Sequence, residues 1–563
     1  MAKGCNKLIE SLIFVAAMLM VVSGQQSLAQ APDEIFYNGK VVTVDAGFSI
    51  QQAFAVRDGR FLAVGDNAAI RALAQAGTRQ TDLKGHTVIP GMMDNHNHQY
   101  HAGLVMQRGI PMAGVKSIAE MQRRIAEAAK TAPAGSVIYG QVGWTPNDLA
   151  EKKPPTRVDL DQAAPNNPVV VYQARGLAYL NTAAFIKLGV TRNTQTLGRA
   201  AIPRDAAGEP LGTLQGSPYS VIGPTSNVGK LTIDEKKSLI TAVQKKQLAR
   251  GLTSVRDLQL TPDAMRAYYE LWREGKLIQR VSMGLEVNPD DAPDVEKMLA
   301  PWGVGTGFGD HWLRLDGIAE FNPGTMLRES LTNQPGNTGA PNVDMEKYKE
   351  AILIANRHGW RPSPHVDGDK ALDLVLDFYE AADRESSIRD KRWIVEHAAL
   401  SHPDQMERMK KLGVLISAQI QPNEGAAGMM ERWGKARAER AVPVREWLDH
   451  GLIVSSGSDW PGPDNNPFLA IYFYVSRHAH GYGPIGLGQK VTRAEALRMA
   501  TVNNAYMTFE ETVKGSIEAG KLADFLILSA DLMTVPEAEI PAIHPLATYV
   551  DGINRYKATE ANF

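Results

Sequence analysis

Histidines and aspartates at the ends of short apolar segments are the residues of this chain whose types and spacing could do chemistry. The run Val88-Ile-Pro-Gly-Met-Met-Asp-Asn-His96-Asn-His98 leads an apolar segment straight into a His-X-His pair. Residues i and i+2 of a strand project from one face, so His96 and His98 can aim two imidazoles at one point. Ser363-Pro-His365-Val-Asp-Gly-Asp369, Ile394-Val-Glu-His397 and Ser455-Ser-Gly-Ser-Asp459 each place a His or Asp just after an apolar or β-branched segment. His365 lies 32 residues before His397, and His397 lies 62 before Asp459. These intervals match one and two βα units of about 30 residues. Four neutral imidazoles and one carboxylate make a nitrogen-rich set that suits Zn²⁺ or a similar divalent ion.

Such residues meet only if a repeating scaffold presents them together. Apolar runs at Pro168–Tyr172, Arg392–Glu396, Gly413–Ser417 and Leu452–Ser455 alternate with helical patterns, which predicts strands buried on both faces of a parallel sheet. In a (β/α)8 barrel the carboxyl ends of the strands converge on one mouth. Thr492-Arg-Ala-Glu495 has the form of a capping box and marks a helix start. Residues 145–235 are richer in Pro, Gly, Asn and Thr and break the alternation, so they are expected to form an insertion or lid. Residues 35–66 are strand-like, with Asn38-Gly39 and Asp58-Gly59 as hairpin signals, and Leu522–Leu528 is a second strand-rich stretch. Neither stretch has enough strands to stand alone, which predicts one small β-domain built from both chain ends.

The chain has 563 residues, 44% hydrophobic and 22% charged, with a formal net charge of -2. That composition belongs to a globular protein and offers no basic field for nucleic acid. A single cysteine, Cys5, excludes a disulfide framework and a cysteine metal cluster. Lys3 and Lys7, the apolar run Leu12–Val22 and Ser27-Leu28-Ala29 follow the order of a cleavable signal peptide over residues 1–29. The expected location is periplasmic or secreted, with no stable membrane anchor after cleavage. Arg314 could bind a substrate carboxylate or form a structural ion pair. Trp460, with Trp144 and Met92, could line a pocket or sit in the core. Asp369 reads as a cap or supporting residue ahead of a catalyst.

The chain resembles the amidohydrolase superfamily and, within it, the YtcJ-like proteins of amidohydrolase family 3. The resemblance is carried by Ile89-Pro-Gly-Met-Met-Asp-Asn-His-Asn-His98, His365-Val-Asp-Gly-Asp369, Glu396-His397, Gly457-Ser-Asp-Trp-Pro461 and Lys514-Gly-Ser-Ile-Glu-Ala-Gly-Lys-Leu-Ala-Asp524, and spans about residues 33–535. It implies an α/β fold: a distorted (β/α)8 TIM barrel over residues 90–512, and a composite β-sandwich from 30–89 and 513–563. It also implies a metal-dependent hydrolase of a non-peptide C–N bond in an amide, formamide or cyclic amide. His96, His98, His365, His397 and Asp459 would be the metal ligands, with Asp459 also the general acid and base. Ester or lactone hydrolysis, and a degenerate metal-retaining periplasmic binding protein, are the alternatives. Two departures stand out. The family's bridging lysine, four residues before an Asp-Gly pair, corresponds to Trp312, which favours one ion over two and leaves Glu320 as the substitute bridge. Arg175-Gly176-Leu177 stands where the family often has a histidine. The expected partner is a small-molecule substrate, and a homo-oligomer is left open.

Overall fold

The computed structural model describes residues 31–563 apart from 175–176, 198–199, 216–230, 290–291 and 462–464. The signal-peptide segment and Arg175-Gly176 lie outside the described residues. Strands β1 (Met92–Asn97), β2 (Leu252–Leu260), β3 (Arg280–Leu285) and β4 (Leu313–Ala319) pair in parallel in that order. Strand β5 comes in two pieces divided by Pro364, which has no N–H to donate. Pro362–Ser363 pairs with β4, and His365–Val366 pairs with β6 (Ile394–His397). Strands β7 (Leu415–Ala418) and β8 (Val454–Ser456) continue in parallel. Asp459 N donates to His96 O at 2.7 Å and His98 N to Trp460 O at 2.9 Å, so the chain after β8 meets β1. The strands are nearly all buried, as expected for a parallel sheet covered on both faces.

Helices between the strands begin where the sequence offers caps. Thr261 caps Pro262–Arg273, Asp344 caps Met345–Arg357, and Thr492 and Glu495 form the expected capping box. Between β1 and β2 the chain departs into a separate seven-stranded sheet that runs from Gly109–Ile110 to Thr213–Gln215. This sheet starts at Gly109, earlier than the expected 145. Gly109–Ile110, helix Ile118–Thr131 and Ile138–Gly140 form a parallel βαβ unit, which in sequence is indistinguishable from a barrel repeat. The sheet carries apolar clusters of its own, one holding Trp144 and Val169 and another Tyr172 and Phe185.

The two chain ends pair with each other. Thr87–Pro90 runs antiparallel to Phe525–Leu528 within a six-stranded sheet that also holds Lys40–Val42 and Pro545–Val550. Of the two hairpin signals, Asp58-Gly59 closes the hairpin of Ala53–Arg57 and Arg60–Gly65. Asn38-Gly39 does not close one: Glu34–Tyr37 belongs to a four-stranded sheet and Lys40–Val42 to the six-stranded one. Asn38 takes φ 60°, and the turn carries the chain from one sheet to the other.

Arg280, the first residue of β3, fastens the barrel to the C-terminal strands. Its Nε and Nη2 donate to Asp524 Oδ2 and Oδ1 at 2.7 and 2.8 Å, and its guanidinium lies 4.6 Å from the Trp312 ring centroid. Removing one partner of a buried pair strands the other, at about 3–5 kcal/mol. Arg280→Met is therefore expected to lower unfolding free energy by that amount in a denaturant titration. Lys130→Met, at an exposed pair with Glu127, should change it by less than about 1 kcal/mol.

Candidate metal centre

Every predicted ligand arrives at one end of the barrel. His96 is on β1 and His98 directly follows it, His365 opens the second piece of β5, His397 ends β6, and Asp459 follows β8. Glu320, directly after β4, stands among them. Its Oε2 is 3.5 Å from His96 Nε2 and 3.2 Å from His98 Nε2, and Asp459 Oδ1 is 3.4 and 3.3 Å from the same two nitrogens. Its Oε1 faces the other pair, 3.1 Å from His397 Nε2 and in close contact with His365 Nδ1. One carboxylate thus spans two donor groups.

The first group has the spacing of ligands around a shared ion. Donors held about 2.0–2.1 Å from a tetrahedral ion lie about 3.4 Å apart, which matches the four imidazole–carboxylate separations; His96, His98 and Glu320 form one group of possible ligands, and Asp459 groups with His96 and His397. His96 Nε2 and Glu320 Oε2 are buried with no hydrogen-bond partner among the described residues, an arrangement that is costly unless an ion satisfies it. The second group is tighter, with His397 Nε2 only 2.8 Å from His365 Nδ1. Nitrogen and carboxylate donors of this kind fit a divalent ion of the zinc type.

The barrel interior below supports these ligands with charge. His96 Nδ1 is 2.7 Å from Glu396 Oε2, and both Arg256 guanidinium ends reach Glu396 Oε1 at 3.1 Å. Arg256 also donates to Asp316 Oδ2 at 2.8 Å and Asn95 O at 2.6 Å, and Arg361 pairs with Asp316 Oδ1. Burial alone would raise the Glu396 carboxyl, but Arg256 and His96 outweigh it and hold it at about 2. Asp316 is likewise pushed up by burial and brought down to about 2 by Arg256 and Arg361. His365 Nε2 lies 3.1 Å from Asp367 Oδ2. Burial lowers the His365 imidazole, and Asp367 and Glu320 reverse this and lift it to about 10.

Left-handed backbone occurs at three residues here. His397, Asp459 and Gln259 have φ of 69°, 59° and 57°, a region that costs a non-glycine residue on the order of 1–3 kcal/mol. Gln259 sits where the pairing of β2 shifts register, and its Nε2 donates to Glu320 O at 3.0 Å. Gly457 has no side chain because none fits: a Cβ there would lie 2.3 Å from Asn95 Oδ1 and 2.5 Å from His96 N.

Several expectations change. Trp312 immediately precedes β4, at the opposite end of that strand from the ligands, so it does not stand among them; Glu320, directly after the strand, does. Arg314 does not reach the centre either. Its Nη1 is 3.3 Å from Glu510 Oε1 and its Nη2 donates to Gly307 O at 3.0 Å, a structural ion pair. Trp460 is partly exposed beside Asp459, whereas Trp144 and Met92 are core residues. Asp369 opens helix Asp369–Glu385, accepting from Arg328 N at 2.8 Å and lying 3.0 Å from His402 Nε2. Arg256, Glu396, Asp367, Gln259 and Gln421 went unrecognised as site residues. A charge inside an apolar run, as in Leu252–Leu260 and Ile394–His397, was the available signal for the first two.

The model of the amidohydrolase family matches residues 79–554. The chain is 29% identical over 554 residues to an N-substituted formamide deformylase of Arthrobacter pascens, covering 94% of this chain and all of that one. It is 25% identical over 533 residues to the YtcJ protein of Bacillus subtilis, covering 92% and 98%. A solved metal-dependent hydrolase of Pyrococcus furiosus superposes with a TM-score of 0.69 at 27% identity, covering 89% of this chain and all of that one.

Arg256→Met leaves Glu396 and Asp316 buried with less than their full countercharge. The expected loss is about 3–5 kcal/mol of unfolding free energy, read by chemical denaturation, and a loss under about 1 kcal/mol would mean that water reaches this layer.

Proposed function

Because this chain belongs to the amidohydrolase family, we propose that it is an exported, metal-dependent hydrolase of a non-peptide carbon–nitrogen bond. The observation that carries this reading is the convergence of His96, His98 and Glu320 as one group of possible ligands, with Asp459 Oδ1 3.4 and 3.3 Å from the two imidazoles. His365, His397 and the second oxygen of Glu320 offer a further position. Zn²⁺ is the ion we assign, from the nitrogen and carboxylate donors. Such an ion, when bound, polarises the attacked carbonyl and lowers the pKa of a water toward ~7.

The protein's own groups then have separate tasks. Asp459 points a buried carboxylate oxygen at the ligand nitrogens, takes the proton of the attacking water and passes it to the leaving nitrogen. Glu320 holds the two histidine pairs together, and Glu396 keeps the proton of His96 on Nδ1, leaving Nε2 as the ligand atom. The name of the Arthrobacter relative makes N-substituted formamides the first substrates to test, followed by cyclic amides and lactones. Export is supported by the basic start, the apolar run and the small residues before Gln30.

Protein purified without chelator or histidine tag should contain one to two equivalents of zinc by plasma mass spectrometry. Glu320→Gln should lose the second equivalent and weaken the first. Asp459→Asn should keep an ion yet lose about 10²–10⁴-fold in kcat on a formamide; unchanged turnover would exclude Asp459 as the proton carrier. N-terminal sequencing of the exported chain should begin at Gln30, and a retained Met1 would rule out cleavage.

A further inference from the structure

Three of the four imidazoles present their second nitrogen to a group that only accepts. His96 Nδ1 faces the Glu396 carboxylate at 2.7 Å, His365 Nε2 faces the Asp367 carboxylate at 3.1 Å, and His98 Nδ1 faces the Leu258 carbonyl at 3.4 Å. When an ion takes the place of a proton on the inner nitrogen, such an acceptor holds the remaining proton on the outer one.

His397 is different. Its Nε2 faces His365 Nδ1 at 2.8 Å and Glu320 Oε1 at 3.1 Å, while its Nδ1 meets the side-chain amide of Gln421 at 2.6 Å, with Nε2 the nearer amide atom. The other amide atom, Oε1, is buried with no hydrogen-bond partner among the described residues. An amide carries both a donor and an acceptor, and half a turn about its last bond exchanges them. With its far atom unpartnered, the amide has His397 Nδ1 as its one hydrogen-bond partner among the described residues. With the proton on Nε2, directed at Glu320, Nδ1 accepts from Gln421. With Nε2 bare for an ion, Nδ1–H donates to Gln421 Oε1.

We propose that Gln421 is a positioning residue that makes His397 the adjustable ligand of the centre. The His365 and His397 half then takes a divalent ion as an exchangeable second equivalent, while the His96 and His98 half holds its ion firmly. This rests on the metal-dependent reading given above. Gln421 is thus the one outer partner among the four that can offer His397 either a donor or an acceptor, whereas the other imidazoles face acceptors alone. Outer partners of ligating histidines commonly govern 10–100-fold in metal affinity.

Two substitutions in the full mature chain separate the roles. Gln421→Glu offers only acceptors, and Gln421→Leu offers neither group; Gln421→Met replaces the latter if thermal melting shows it misfolded. Zn²⁺ is titrated into the stripped proteins against a chromophoric chelator, with stoichiometry checked by plasma mass spectrometry. The second equivalent should bind at least tenfold tighter in Gln421→Glu and at least tenfold weaker in Gln421→Leu, with the first equivalent within threefold of wild type in both. Equal second affinities in all three proteins, shifts in the same direction, equal shifts of both equivalents, or wild type and Gln421→Glu both stopping at one ion would overturn the proposal. A wild-type chain that binds no Zn²⁺ would overturn the metal-dependent reading with it.

Discussion

The guanidinium of Arg256 is the constraint on which the rest of the barrel interior depends. A fully buried cation must be answered by charge and hydrogen bonds on every side, and the groups that answer it come from separate strands. Asn95 is on β1, Asp316 on β4 and Glu396 on β6, while Arg256 itself is on β2. Those strands carry, one layer above, His96 and His98, Glu320, and His397. A single ionic knot therefore fixes the relative heights of strands that are distant in sequence, and the ligands inherit that registration. Arg361, adjacent to β5, extends the knot through Asp316 toward His365.

Above the knot, one carboxylate stands between the two histidine pairs, where the resemblance would have set a bridging lysine. Glu320 is short and rigidly placed, its backbone carbonyl held by Gln259 and its two oxygens shared between two histidine pairs. Left-handed backbone at His397 and Asp459 aims side chains inward that a regular strand end would direct elsewhere. The folding energy of a large apolar core can sustain such local strain.

Much of this was legible in the residues. The His-X-His pair, the spacing of His365, His397 and Asp459, the strands that end in them and the capping box at Thr492 all follow from period and residue type. Trp312 misled because counting back from Asp316-Gly317 measures sequence distance, whereas a ligand must stand at the carboxyl end of its strand, where Glu320 is. Glu396 was hidden by alternation: neighbours in a strand face opposite ways, and only the left-handed turn at His397 lets both serve the centre. The start of the insertion was hidden because its first βαβ unit has the same local pattern as the barrel. Asn38-Gly39 makes its turn, but which sheet receives the next strand is decided by pairing partners far along the chain.

The pairing of Thr87–Pro90 with Phe525–Leu528 also sets a schedule for biosynthesis. The partner strand leaves the ribosome some 430 residues later, about 20–90 s at ordinary elongation rates of about 5–20 residues per second. Through that interval the N-terminal strands have an unfilled edge and an uncovered apolar face. The six-stranded sheet is thus completed only after translation is nearly finished, and a chaperone that shields strand edges has its longest opportunity at the N-terminal strands.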